Sequence, residues 1–111
     1  MSDTLLQKKC LPCEIGTPPL SRETAEHLHQ QIPDWQLEET LINREFKFAD
    51  FVTALDFVNK IGELAEEEGH HPDIFLSWGK VKVSLTTHAA KGLTENDFVV
   101  AAKIDQLFTD I

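Results

Sequence analysis

The stretch DFVTALDFVNKIGELAEEEGHHP, residues 50–72, decides how the rest of the chain is arranged. Asp50 can cap a helix, because its side chain can accept a hydrogen bond from a backbone N–H of the first turn. Gly69 suits the left-handed residue that ends a helix, and Pro72 follows shortly afterwards. Between them, apolar residues recur on one face, namely Phe51, Ala54, Leu55, Val58, Ile61, Gly62 and Ala65, with Phe57 and Leu64 widening the stripe. The pattern predicts one long amphipathic helix, ending near Glu68, that lies across a sheet.

Alternating segments on either side of this helix predict two hairpins. Before it, Trp35 and Leu37 alternate with polar residues, and residues 41–48 alternate again with Ile42, Phe46 and Phe48 on one side. After it, residues 74–78 and 81–85 alternate around a short turn at Gly79-Lys80, and the last strand reaches His88. Residues 89–92 are expected to form a loop.

Two further helices complete the pattern. Ser21 suits an N-cap, so a helix is expected over residues 21–32, with Pro33 ending it. His27 and His29 are two residues apart, cannot share a helix face and are interpreted as surface residues. Thr94 and Asp97 have the spacing of a capping box before a final apolar helix.

The predicted order is therefore α-β-β-α-β-β-α, an α+β two-layer sandwich. Hairpin connections imply a four-stranded antiparallel sheet with three helices on one face. Such a sheet has two open edges, which are a liability unless covered or paired. Pairing with a second copy would solve this, so a homodimer or homotetramer is expected.

Size and charge limit the classes of function. The chain has 111 residues, enough for one domain, which is expected over residues 20–111 after an irregular, loosely packed arm over residues 1–19. The net charge of −9 comes without a Lys/Arg cluster, which argues against nucleic acid or an anionic membrane as partner. No apolar run is long enough to span a bilayer, and no secretory signal is evident, so a cytoplasmic location is expected.

Cys10 and Cys13 form the arrangement Cys-Leu-Pro-Cys in the arm. This pattern could be half of a zinc site or a redox pair. A closed zinc site needs four ligands, and the chain has no second cysteine pair. A thioredoxin-like pair would lie between a strand and a helix, whereas this one precedes any recognisable strand. We expect the arm to carry no chemistry.

The C-terminal end of the long helix carries negative charges, which are unfavourable at that end of a helix. Helix C-termini favour cations, yet Glu66, Glu67 and Glu68 occupy this one. Glu66 precedes His70 by four residues, so one helical turn could bring the two together. A carboxylate favours the protonated form of a neighbouring imidazole, which could then donate a proton near neutral pH. The alternative is a solvated acidic helix end with no role.

Other interpretations of the same residues remain open. His70 and His71 could bind zinc if His88 and Glu66 supplied further ligands, although the spacing is not that of the His-Glu-x-x-His helix. Asp97 could serve only as a helix cap. Trp78 could be a core residue or a flat stacking surface for a heteroaromatic ligand.

Taken together, these residues resemble a known family. Their order and spacing are similar to the signature of the pterin-4a-carbinolamine dehydratases. The pattern is Glu66, three residues, His70-His71-Pro72, five residues, Trp78, nine residues, His88, eight residues and Asp97. Gly92-Leu93-Thr94 also fits, and the resemblance covers about residues 20–111. The resemblance implies the same fold. It also implies oligomers, in which two sheets join edge to edge to form a dimer and dimers sometimes pair through their helices.

The resemblance implies loss of water from a 4a-hydroxytetrahydropterin, which gives a quinonoid dihydropterin. This step recycles the pterin cofactor of aromatic amino-acid hydroxylases, so a functional link to such an enzyme is expected. Neither a metal nor an organic cofactor is implied. Animal relatives also act as dimerisation partners of a transcription factor, so a protein-binding regulatory module is the alternative, beside a histidine-ligated zinc protein.

The resemblance also implies roles for residues. His70, His71 and His88 would be catalytic, with His70 and His88 as acid and base and His71 orienting the ring. Glu66 would tune His70 or bind ring nitrogens of the pterin. The remaining predicted substrate-binding residues shape the pocket or contact the ligand, and they are Gly69, Pro72, Trp78, Thr86, Thr87 and Asp97.

Overall fold

The computed structural model describes residues 5–11 and 16–110, so Cys13 lies outside the described residues. The helices are α1 (Arg22–His29), α2 (Phe51–Glu68) and α3 (Glu95–Thr109), and the strands are β1 (Gln36–Leu37), β2 (Ile42–Lys47), β3 (Asp73–Ser77) and β4 (Lys80–Leu85). Short 3₁₀ turns occupy Leu5–Gln7 and His88–Ala90. The α-β-β-α-β-β-α order expected from the sequence is confirmed.

The four strands form one antiparallel sheet in the order β1-β2-β4-β3. Strand β2 pairs with β4 from Ile42 opposite Leu85 to Lys47 opposite Lys80. Strand β3 covers the other side of β4, with Ile74 opposite Val83. The two hairpins therefore meet through β2 and β4, and the segment that leaves the end of β4 emerges near the middle of the sheet.

The core lies between one face of the sheet and the helices. Sheet residues Ile42, Phe46, Val81, Val83 and Leu85 are buried, as are Ala54, Phe57, Ile61 and Ala65 of α2. The rings of Phe46, Phe57 and Phe108 pack together, with centroids 4.9–5.7 Å apart. Burial of this apolar face is the dominant favourable term for folding. In the described part of the chain, no helix combines the length and apolarity that a membrane span requires.

The predicted apolar stripe of α2 was wider than the face that the helix buries. Phe57 is fully buried, whereas Phe51 and Leu55 are 41% and 40% exposed. The buried residues follow the spacing of Ala54, Phe57, Ile61 and Ala65, which defines a single narrow face. Phe51 and Leu55 lie beside that face, so the predicted stripe includes two residues that the helix leaves largely exposed.

The turn between β3 and β4 lies one residue earlier than expected. It consists of Trp78 and Gly79, while Lys80 already pairs with Ser77 and Lys47. A Cβ atom at residue 79 would lie 2.9 Å from the carbonyl oxygen of Phe48, so the close approach of the two backbones requires glycine.

Two smaller expectations also need correction. His29 is half-buried rather than a surface residue, and its Nε2 lies 2.5 Å from the carbonyl oxygen of Trp35. The loop expected at residues 89–92 includes part of the 3₁₀ turn His88–Ala90, after which Lys91 adopts a left-handed conformation with φ of 57°.

A charged residue lies on the core face of β2. Arg44 donates to the carboxylate of Asp105 at 2.7 Å and lies over the ring of Phe46, 4.4 Å from its centroid. The indole N–H of Trp35 donates to the same carboxylate at 2.8 Å. Burial raises the pKa of Asp105, although both donors act against that rise. Arg44 can occupy this face because its charge is paired and its planar group stacks on an aromatic ring.

The N-terminal segment is attached to the helices, so the expectation of a loosely packed arm is wrong for its described part. Leu5 is 1% exposed and belongs to the core. The backbone N–H of Cys10 donates to Glu68 Oε1 at 3.0 Å, and Lys103 donates to Glu68 Oε2 at 2.7 Å. The side-chain amide of Asn96 accepts from the N–H of Leu11 at 2.9 Å and donates to its carbonyl oxygen at 2.6 Å. The division of the chain at residue 20 stays a prediction.

We predict that Glu68→Gln weakens the fold and reduces its sensitivity to acid. Burial opposes ionisation of Glu68, but Lys103 and the Cys10 N–H outweigh it and hold the pKa of this carboxyl below its ordinary value of 4.5. Because the folded-state pKa is lowered, the contribution of Glu68 to stability is present above the unfolded-state pKa and is lost as the pH falls through the folded-state pKa. At pH 7 the substitution should cost about 1–3 kcal/mol.

Urea unfolding between pH 7 and pH 3 measures this effect. The matched control is Glu67→Gln, the same change at the exposed neighbouring residue. Glu67→Gln should leave the acid dependence as it is in the wild type, whereas Glu68→Gln should flatten it below about pH 4.5. Equal acid dependence in wild type and Glu68→Gln would contradict the assignment of this ion pair.

Candidate active site

A cleft of about 450 Å³ opens where the end of α2, the end of β4 and the start of α3 meet. This volume is within the usual range for sites that bind small molecules. The helix end contributes Glu68, Gly69, His70 and His71, and the segment after β4 contributes Thr86, Thr87, His88 and Ala89. Cys10 and Leu11 of the N-terminal segment and Asn96 of α3 complete the lining. The three histidines predicted from the sequence therefore line a common cleft.

The end of α2 directs two of these histidines away from the helix. Gly69 has φ of 70°, and its N–H and that of His70 both donate to the carbonyl oxygen of Ala65, at 2.9 and 3.2 Å. This left-handed ending favours glycine, as the sequence predicted. His70 and His71 thus leave the helical path at the point where the chain turns towards β3.

A buried carboxylate holds His70. Asp97 is fully buried, and its Oδ1 lies 2.6 Å from Nε2 of His70. Its Oδ2 accepts from the hydroxyl of Thr87 at 2.8 Å and from the backbone N–H of Thr94 at 2.9 Å. The capping box expected at Thr94 and Asp97 is therefore present, and the same carboxylate also binds a cleft histidine.

This contact determines which nitrogen of His70 is available. A carboxylate beside a ring nitrogen accepts a hydrogen bond from its N–H, which orients the ring and stabilises the imidazolium form. In neutral His70 the proton is then on Nε2, so Nδ1 is the nitrogen that can exchange a proton with a ligand.

The predicted pairing of Glu66 with His70 is wrong. Oε2 of Glu66 lies 2.5 Å from Nε2 of His71, and the two side chains are 78% and 61% exposed. The expected contact assumed that helical spacing continued as far as residue 70, whereas the left-handed Gly69 interrupts it. Glu66 therefore orients the exposed His71, and Asp97 orients the partly buried His70.

The two threonines after β4 use their hydroxyl hydrogens within the protein. Thr86 donates to the carbonyl oxygen of Thr40 at 2.6 Å. Thr87 donates to Asp97, and its hydroxyl oxygen lies 2.8 Å from that of Thr94. Both residues line the cleft, but their hydroxyls fix its wall rather than offer donors to a ligand. His88 follows at the start of the 3₁₀ turn and is exposed.

Pro72 and Trp78 are not among the residues that line the cleft of this chain. Trp78 lies in the turn before β4 and is 67% exposed, whereas Thr86, Thr87 and His88 follow the other end of that strand. A six-residue strand is roughly 20 Å long, so Trp78 and the cleft are at opposite ends of the sheet. The nine-residue spacing between Trp78 and His88 therefore reflects a strand rather than a shared pocket.

The sequence analysis did not identify several of the residues that line the cleft, namely Cys10, Leu11, Glu68, Ala89 and Asn96. The acidic run at the helix end was a signal for Glu68, but the N-terminal residues carried none.

Burial, with the charge of Glu68 adding to it, raises the pKa of the Cys10 thiol to about 12. This thiol is therefore protonated at neutral pH and is neither a thiolate ligand nor a nucleophile in this position. Among residues 5–11 and 16–110, no three His, Cys, Asp or Glu side chains are arranged to hold a metal ion.

Comparisons with known proteins show the family to which the chain belongs. Residues 18–107 match the model of the family described as pterin 4 alpha carbinolamine dehydratase. A protein of Rubrobacter xylanophilus is 51% identical over 93% of this chain and 97% of its own length. One of Alkaliphilus metalliredigens is 52% identical over 94% of this chain and 96% of its own length. Both carry the name pterin-4-alpha-carbinolamine dehydratase as a provisional assignment.

A solved structure shows the same fold. The transcriptional coactivator/pterin dehydratase of Brucella melitensis has a TM-score of 0.76 and is 33% identical, covering 80% of this chain and 97% of its own. The family match extends over most of the chain and includes every residue of the predicted signature. This chain therefore belongs to the pterin-4a-carbinolamine dehydratase family.

Proposed function

We propose that this protein is a hydro-lyase that dehydrates a 4a-hydroxytetrahydropterin to the quinonoid dihydropterin. The observation that carries the proposal is a cleft lined by three histidines, one of which is held by a buried carboxylate. Membership of the family and the names of its relatives support the same activity.

The reaction requires two proton transfers and the breaking of one bond. A proton must reach the hydroxyl group on the ring carbon, so that the carbon–oxygen bond breaks and water leaves. A second proton must be removed from the neighbouring ring nitrogen, whose electron pair then forms the new double bond. Histidine suits both transfers because its ordinary pKa lies near neutral pH, and each such transfer contributes typically about 10²–10⁴-fold to the rate.

In this proposal His70 and His88 are the acid and the base. His70 is the better-oriented residue, because the hydrogen bond to Asp97 fixes its ring. His88, on the opposite segment of the cleft, would serve the other reacting group. His71, held by Glu66 and largely exposed, would orient the pterin ring at the mouth of the cleft.

The other residues of the proposal shape the site. Gly69 sets the direction of the two histidines that follow it, and Thr87 supports the carboxylate of Asp97. Thr86 and Thr87 form the wall at the end of β4. Pro72 and Trp78 have no role in it.

Finer expectations from the sequence stay predictions. These are the link to an aromatic amino-acid hydroxylase, the homodimer or homotetramer, the cytoplasmic location, the independence from metals and the alternative role as a protein-binding module. The dehydration reaction is the part of the proposal that the cleft supports directly.

We predict that His70→Ala and His88→Ala each lower the turnover of 4a-carbinolamine dehydration at least tenfold, because each removes one proton-transfer group. The decay of the carbinolamine absorbance measures the rate, and chelators should not change it. His27→Ala is the matched control, because His27 is exposed on α1 and remote in sequence from the cleft residues. Unchanged rates in both cleft variants would refute the proposal.

We predict that Asp97→Asn lowers kcat by about 10²–10⁴-fold with a small change in KM, because the neutral amide cannot stabilise the imidazolium of His70. The matched control is Glu66→Gln, which neutralises the exposed partner of His71 and should change kcat less than tenfold. Thermal unfolding verifies that Asp97→Asn is folded. If it is not, Thr87→Val, which removes one hydrogen bond to Asp97, should lower kcat in the same direction. Near-normal kcat in a folded Asp97→Asn protein would contradict the assigned role.

A further inference from the structure

The N-terminal segment Leu5–Leu11 precedes the region that the family model matches, residues 18–107. Its last two described residues, Cys10 and Leu11, nevertheless form part of the cleft wall. The cleft therefore includes residues from outside the region that the family model matches.

This part of the wall is held in place by hydrogen bonds to both neighbouring helices. The N–H groups of two successive residues have side-chain acceptors, Cys10 on Glu68 at the end of α2 and Leu11 on Asn96 near the start of α3. Asn96 also donates to the carbonyl oxygen of Leu11, so one amide group holds both sides of that residue. Asn96 is 7% exposed, and a buried amide that is paired in this way has little freedom to move.

Apart from its three imidazoles, the described cleft lining offers no aromatic side chain on which a flat ring could stack. Among its described lining residues the side chains are mostly imidazoles, hydroxyls, a carboxylate and an amide, and no Phe or Trp is present. A heteroaromatic ligand is normally held between apolar surfaces, with a few polar groups fixing its orientation. Leu11 is the largest aliphatic side chain of this lining, and it is 70% exposed.

We propose that Leu11 is a substrate-binding residue that packs against the bound pterin, and that Asn96 is the positioning residue that holds it there. This inference rests on the proposed function, since it names the surface that the pterin would contact. Leu11 would gain apolar burial when the ligand binds, so it should contribute to affinity and not to the proton transfers.

Leu11→Ala tests the proposal, with Leu6→Ala as the matched control. Leu6 belongs to the same segment and is 44% exposed, but it lies outside the cleft. In the dehydration assay, Leu11→Ala should raise KM about fivefold to tenfold, with kcat within about twofold of the wild type. Leu6→Ala should change neither value. Asn96→Ala should raise KM in the same direction as Leu11→Ala, because the segment is released.

A binding measurement separates this inference from the proposed function. Binding of biopterin, an oxidised and stable pterin, can be measured by titration that follows its fluorescence. Leu11→Ala should raise the Kd for biopterin about fivefold to tenfold relative to Leu6→Ala. A wild-type protein that binds biopterin without dehydrating the carbinolamine would overturn the proposed function, while the comparison of the two variants would still decide the role of Leu11. Equal Kd and KM values in Leu11→Ala, Leu6→Ala and wild type would overturn the proposal for Leu11, whatever the rate of dehydration.

Discussion

The hydrogen bond between the buried carboxylate of Asp97 and the imidazole of His70 belongs to a group of contacts that connects three of the four segments that line the site. Asp97 lies at the start of α3, His70 follows the end of α2, and Thr87, which donates to the same carboxylate, follows β4. A buried charge is tolerated only when it is paired and hydrogen-bonded, and here one carboxylate has three donors. The position of His70 and the contacts among the ends of α2, β4 and the start of α3 therefore involve the same group.

The acidic end of α2 has a separate explanation for two of its residues. Glu68 forms an ion pair with Lys103 of α3 and accepts a hydrogen bond from the N-terminal segment, while Glu66 pairs with His71. Lys103 of α3 thus compensates for one of the charges that the helix dipole disfavours. Glu67 is exposed and does not line the cleft.

Periodicity and caps were sufficient to predict the elements and their order, because Asp50, Gly69 and Thr94 mark helix ends through local chemistry. The pairing of charges at the site was not predictable in this way. His70 is four residues from Glu66 but 27 residues from Asp97, and the choice between them depends on how α2 and α3 pack. For the same reason, the sequence could not show that Cys10 and Leu11 reach the cleft. Local spacing identifies residues that act along one element, whereas contacts between elements require the fold.

Nitrogen NMR of the His70 side chain tests the central claim most directly, because the ¹⁵N shifts of an imidazole report which ring nitrogen carries the proton. If Asp97 holds His70 as described, the neutral ring should carry its proton on Nε2 and leave Nδ1 unprotonated. Asp97→Asn should perturb this pattern, and Glu66→Gln should leave it as it is. A wild-type His70 with its proton on Nδ1 would contradict the account, because Nε2 could then donate no hydrogen bond to Asp97.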